Sequence, residues 1–203
     1  MHSRKPAQEG QASPSVTRGP SEGIGLPGCA ANYAILDQLL STCCQELMRD
    51  YGLSATFQAD LGASEPATVL AVGSIDFVGP DLRGTIGLRM TRSVVEQTYY
   101  AALGTEIEAG SIEGRDWTCE LVNQLMGRLK NKLRTFRISL DMNSPKVSET
   151  TSSGNLEGTL RHRFLCERGR FTGYLDVMVA PGVLFSAQDP DEPLPEEGDL
   201  LLF

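Results

Sequence analysis

Hydrophobic and polar positions follow two rhythms along this chain, and the switches between them divide it into elements. Tyr33, Leu36, Leu39, Leu40, Cys43, Leu47 and Met48 recur at helical spacing and predict a helix over about 31 to 51, stopped at Gly52. Three strand-like stretches follow, "SATFQAD", "ATVLAVGSIDFV" and "LRGTIGLRM", separated by Gly, Pro and Asp turn signals as in an antiparallel meander. "SVVEQTYYAAL" predicts a second helix, capped by Thr91 or Ser93 and ended by Gly104. An acidic linker then leads to a third, "DWTCELVNQLMGRLKNKL", for which Asp116 is the expected N-cap. Here Trp117, Leu121, Leu125, Leu129 and Leu133 are spaced by four, and Val122 and Met126 widen the stripe, so this face is core. "FRISLDM" alternates apolar and polar residues and predicts a half-buried strand, closed by Pro145. "GTLRHRFLC" and "FTGYLDVMVA", joined across "ERGR", predict a hairpin.

The order helix, strands, helix, helix, strands predicts an α+β domain of two layers, with long helices packed on an antiparallel β-sheet. The two halves share this order but no sequence repeat. Residues 1–28, rich in Gly, Pro, Ser and Gln, cannot bury enough apolar surface to offset ordering entropy and are expected to be a disordered extension. Residues 29–186 are the expected folded domain, and 187–203 an acidic tail ending in four apolar residues.

Charge and composition narrow the function classes. At 203 residues, 40% hydrophobic and 22% charged, the chain has the composition of a soluble globular protein. Six acids after Ala187 supply most of the net charge of −8, so the domain itself offers no electrostatic reason to bind nucleic acid. No apolar run approaches the roughly 20 residues needed to cross a membrane. The N-terminus also lacks the apolar core of a secretory signal, and a cytoplasmic protein is expected. The five cysteines form no C-x-x-C pair, which argues against a disulfide framework or a zinc site and for buried thiols. With only His2 and His162 present, a His-based metal site or a Ser-His-Asp triad has little support.

The third helix carries the informative chemistry. Opposite its leucine stripe, Glu120, Asn123, Gly127 and Asn131 lie along one exposed line, at i, i+3, i+7 and i+11. A glycine inside a helix costs about 1 kcal/mol relative to alanine. Its place one turn beyond Asn123 therefore calls for a reason: the glycine removes the side chain that would otherwise stand beside Asn123.

The string "ELVNQLMG", Glu120 to Gly127, resembles the E-x-x-N-x-x-x-G signature of the CheC/CheX/FliY phosphatases. The wider pattern W-x-x-E-L-x-N-Q-L-x-G-R-L-K-N-x-L, followed by a strand and "NSPKV", is similar to the CheX branch in particular. The resemblance runs from about residue 30 to 180, its specific part being this one helix. It implies a CheX-like phosphatase domain that hydrolyses the aspartyl phosphate of a CheY-like response regulator in chemotaxis or another two-component system. On that reading Asn123 holds the attacking water and Glu120 docks to the partner's active-site lysine. Gly127, Gln124 and Asn131 fall to the partner contact. It also implies no cofactor in this chain, Mg²⁺ on the partner receiver, and a homodimer formed by pairing of central sheets. The first helix has no Glu or Asp three residues before an Asn, so one site per chain is expected. A non-catalytic docking or scaffold domain in chemotaxis or flagellar signalling is the alternative, against which the retention of both Glu120 and Asn123 argues. For the cations Arg128, Lys130, Lys132 and Arg134 the ordinary reading is complementing the negative end of the helix dipole, ahead of steering an acidic partner.

Overall fold

A computed structural model describes residues 27–58, 70–150 and 160–186. The two expected tails lie almost wholly outside these described residues. Helix α1 (Pro27–Asp50) leads to strands β1 (Thr56–Gln58), β2 (Leu70–Val78) and β3 (Leu82–Thr91), then to helices α2 (Arg92–Leu103) and α3 (Ile112–Arg134). Strands β4 (Asp141–Met142), β5 (Lys146–Thr150), β6 (Leu160–Cys166) and β7 (Gly169–Val179) complete the sheet. Its order is β1-β6-β7-β3-β2-β4, with β5 also paired to β2, and every described pairing is antiparallel.

α1 lies over β6 and β7, α3 over β2, β3 and β5, and the two helices pack on each other. One row of directly paired residues shows how closely they sit: Gly73, Leu88, Gly173 and His162 stand side by side across four strands. A Cβ at Gly73 would come within 2.5 Å of the Val122 side chain on α3, and one at Gly173 would collide with the Cys44 thiol on α1. Glycine is therefore the residue at each point where a helix settles onto the sheet. At the end of the same row the His162 ring meets the Asp37 carboxylate of α1 at 2.9 Å. The expected leucine stripe is core, with Leu121, Val122, Leu125, Met126, Leu129 and Leu133 fully buried.

α1 begins at Pro27 and ends beside Gly52, which adopts φ +70°. Asn32 is buried on it and satisfied at both ends of its carboxamide. It donates to the Val183 carbonyl at 2.7 Å and accepts from the Phe185 amide at 2.9 Å, tying the segment after β7 to the helix.

Four expectations give way. The three stretches after α1 are not one meander: β2 and β3 pair as a hairpin, but β1 joins β6 at the far edge of the sheet. Asp116 is not the N-cap of α3: the helix starts a turn earlier, and the Ser111 hydroxyl accepts from the Gly114 amide at 3.1 Å. At Gly114 the carbonyls of Glu108 and Ala109 press on the space a side chain would fill, so the helix requires a glycine there. "FRISLDM" is not a strand along its length. After α3 the chain turns through Arg137, in the left-handed region at φ 60°, and the Ile138 amide bonds back to the Leu133 carbonyl at 3.2 Å. Ile138 and Leu140 still bury themselves alternately, but the ladder begins only at Asp141, and Met142 is exposed. Pro145, expected as a stop, precedes β5, which pairs with β2 from Lys146 onward. The last hairpin is as expected, turning on Glu167 and Arg168.

Candidate functional site

Burial of the leucine stripe fixes the rotation of α3, and that rotation places Glu120, Asn123 and Asn131 in solvent with Gly127 between them. A Cβ at Gly127 would meet no described atom within 4 Å, so neither helix packing nor a tight loop accounts for the glycine. The Asn123 carboxamide forms no hydrogen bond among the described residues, although it can donate two and accept two. Glu120 behaves differently. One of its oxygens accepts from Gln124 Nε2 at 2.9 Å.

Gln124 is half-buried rather than projecting, and its other polar atom is also engaged, with Oε1 accepting from the Tyr51 hydroxyl at 2.8 Å. Tyr51 lies 73 residues earlier, in the turn that ends α1. Sequence inspection does not reveal it, because its link to the motif exists only once α1 and α3 have packed. Its ring meets Trp117 edge-on at a centroid distance of 5.6 Å. Trp117 in turn meets Tyr99 of α2 edge-on at 5.4 Å and donates from Nε1 to the Thr98 hydroxyl at 2.9 Å. Burial, reinforced by the nearby negative charge of Glu120, raises the Tyr51 pKa above its ordinary value, so the phenol keeps its proton at neutral pH.

Two of the four cations near the end of α3 have a role unlike either sequence reading. Arg128 pairs with Asp50 and Lys132 with Glu46 at 2.9 Å, so both fasten α3 to α1. Partly exposed pairs of this kind contribute about 0.2–1 kcal/mol each.

The candidate site is a ridge. Two sizeable clefts lie elsewhere. One, of about 620 Å³, is lined by α2, the linker after it and Arg168; the other, of about 570 Å³, lies at the β2–β3 turn and the end of β7. No residue of α3 lines either, and Glu120 and Asn123 stand exposed on the helix surface. Among the described residues no group of three or more His, Cys, Asp or Glu is arranged to hold a metal ion. No described helix is long and apolar enough to cross a membrane.

An antiparallel sheet covered by two long helices defines an α+β domain with the fold of solved CheX- and CheC-like proteins. Residues 71–165, which include all of α3, match the family model described as "Chemotaxis phosphatase CheX". The fold is that of the chemotaxis protein CheX from Vibrio vulnificus, at 19% identity and TM-score 0.59, covering 69% of this chain and 97% of that one. A chemotactic CheC-like protein from Shewanella oneidensis shares it at 21% identity and TM-score 0.56, covering 72% of this chain and 99% of that one. So does the CheX of a CheX–CheY–BeF₃–Mg²⁺ complex from Borrelia burgdorferi, at 12% identity and TM-score 0.51, covering 69% of this chain and 96% of that one. No protein of curated function matches the sequence. The resemblance carried by "ELVNQLMG" thus extends to a family model and to the whole fold.

Proposed function

We propose that this chain is a phosphatase acting on the aspartyl phosphate of a CheY-like receiver domain. The observation that carries the reading is the exposed Asn123 carboxamide, without a partner among the described residues, one turn from a glycine that leaves open space beside it. A carboxamide can accept from a water while donating to a phosphoryl oxygen. Held in line, that water attacks phosphorus, the bond between phosphorus and the aspartyl oxygen breaks, and inorganic phosphate and a free carboxylate remain. Such transfers pass through a loose transition state, so positioning the nucleophile is the main service a protein can provide. Glu120, one turn before, accepts a charge-assisted bond from the receiver's lysine and fixes the docking register. Gly127 and Asn131 lie in the same contact. Mg²⁺ sits on the receiver and no cofactor on this chain, and the homodimer implied by the resemblance belongs to the same proposal. The family match over α3 and the partner present in the Borrelia burgdorferi complex support this reading.

The test is phosphate release from a phosphorylated receiver, with and without this protein. Acceleration is expected, and Asn123→Ala should remove most of it, about 10²-fold or more, as for other losses of reactant positioning. A wild-type chain that binds the phosphorylated receiver without shortening its lifetime would identify a docking domain instead.

A further inference from the structure

The Tyr51–Gln124–Glu120 chain is a built arrangement and not a set of chance surface contacts. Its first member sits in the turn after α1, its last two on α3, and the ring of Trp117, also on α3, packs edge-on against Tyr51 and against Tyr99 of α2. The direction of the carboxamide follows from charge. An ionised Glu120 can only accept, so Gln124 must turn its NH₂ toward it. That leaves the Gln124 oxygen facing Tyr51, whose protonated phenol is the donor it requires. The relay therefore converts a fixed hydroxyl in the turn after α1 into a fixed donor beside a carboxylate on α3.

We propose that Gln124 and Tyr51 are positioning residues for Glu120: together they hold its carboxylate by one oxygen and leave the second oxygen aimed outward for a cation on the partner. The inference rests on the phosphatase reading above. A glutamate alone on a helix surface samples many rotamers and loses that freedom on binding. Gln124, four residues later, restrains it in the free protein, so docking requires less ordering. Tyr51 keeps Gln124 from drifting to solvent. The effect belongs to docking, because Asn123, not Glu120, addresses the water.

The test is steady-state phosphate release at increasing concentrations of phosphorylated receiver, for wild type, Tyr51→Phe, Gln124→Leu and Glu120→Ala, and for Tyr51→Phe combined with Glu120→Ala. Tyr51→Phe keeps the ring against Trp117 and removes only the hydroxyl, and the fluorescence of the single tryptophan verifies that the fold is intact. KM is expected to rise about 3- to 10-fold in Tyr51→Phe, the span set by loss of one neutral hydrogen bond, and at least as much in Gln124→Leu, which loses that bond and the one to the Glu120 carboxylate, with kcat within about 2-fold in both. In the Glu120→Ala background, Tyr51→Phe should change nothing further, since its action runs through the missing carboxylate. The same fold loss in both backgrounds, or a loss confined to kcat, would overturn the relay while leaving the phosphatase reading intact. A wild-type chain without acceleration would overturn both.

Discussion

Asn123 and Gly127 stand one turn apart on the exposed face of α3, and a methyl group added at Gly127 would touch no described atom of the chain. Helix energetics and the proposed function therefore pull in opposite directions at one position. Gly127→Ala should stabilise the protein by about 0.5–1 kcal/mol, because alanine is the better helix former and nothing clashes. Gly127→Leu should fold equally well, yet it would stand beside Asn123 and hold a docking partner off, cutting receiver dephosphorylation by at least about 10-fold. Thermal denaturation and the phosphate-release assay on the same two variants check both halves. Full activity in Gly127→Leu would remove the glycine from the site.

Gly73 is the opposite case, a glycine required by the chain's own packing. Its missing side chain leaves room for Val122 and Thr118 of α3, with Thr118 atoms 3.1 and 3.2 Å from where a Cβ would lie. Gly73→Ala should push α3 off the sheet and cost about 1–3 kcal/mol, as over-packing of a filled core does. A lowered midpoint in urea denaturation is the expected result. An unchanged midpoint would show that α3 rides higher on β2 than described.

Cys43 lies fully buried between α1 and the rest of the core, and burial pushes its thiol pKa from an ordinary value of about 9 up to about 12, with Lys132 opposing the shift. The folded state thus keeps a proton that the unfolded chain releases above pH 9. The associated stability is fully present below that pH and is lost as pH rises toward about 12. Denaturation midpoints should decline over that alkaline window, less steeply in Cys43→Ala. A thiol reagent at pH 8 should label Cys43 only as fast as the protein opens.

Much of this molecule is legible in its sequence, for a reason that also marks where legibility stops. The α3 stripe from Leu121 to Leu133 is periodic, so its rotation, and with it the outward aim of Glu120 and Asn123, follows from local spacing. Gly104 and Gly52 end helices by their own backbone freedom and were equally readable. The start of α3 is misread because its cap is Ser111, a turn before Asp116, in a segment where the carbonyls of Glu108 and Ala109 leave no room for a side chain at Gly114. Residues 136–140 mislead because alternating burial needs only a core on one side, not a neighbouring strand; the amide of Ile138 caps α3 instead of joining a ladder. Tyr51 was invisible for the same reason as most second partners: it meets Gln124 only through the packing of two helices.

The two ion pairs between α1 and α3 bear on the kind of encounter this ridge can have. Arg128 and Lys132 are engaged with Asp50 and Glu46, and the helix beneath the ridge is braced by a neighbour as well as by the sheet. On the proposed function, a receiver would meet a helix already held in place by its neighbours. Protein pairs of that sort associate at roughly 10⁵–10⁷ M⁻¹s⁻¹ and differ chiefly in how long they stay together. For the proposed phosphatase, turnover then becomes a question of dwell time: long enough for one water to strike, brief enough to free the ridge for the next arrival.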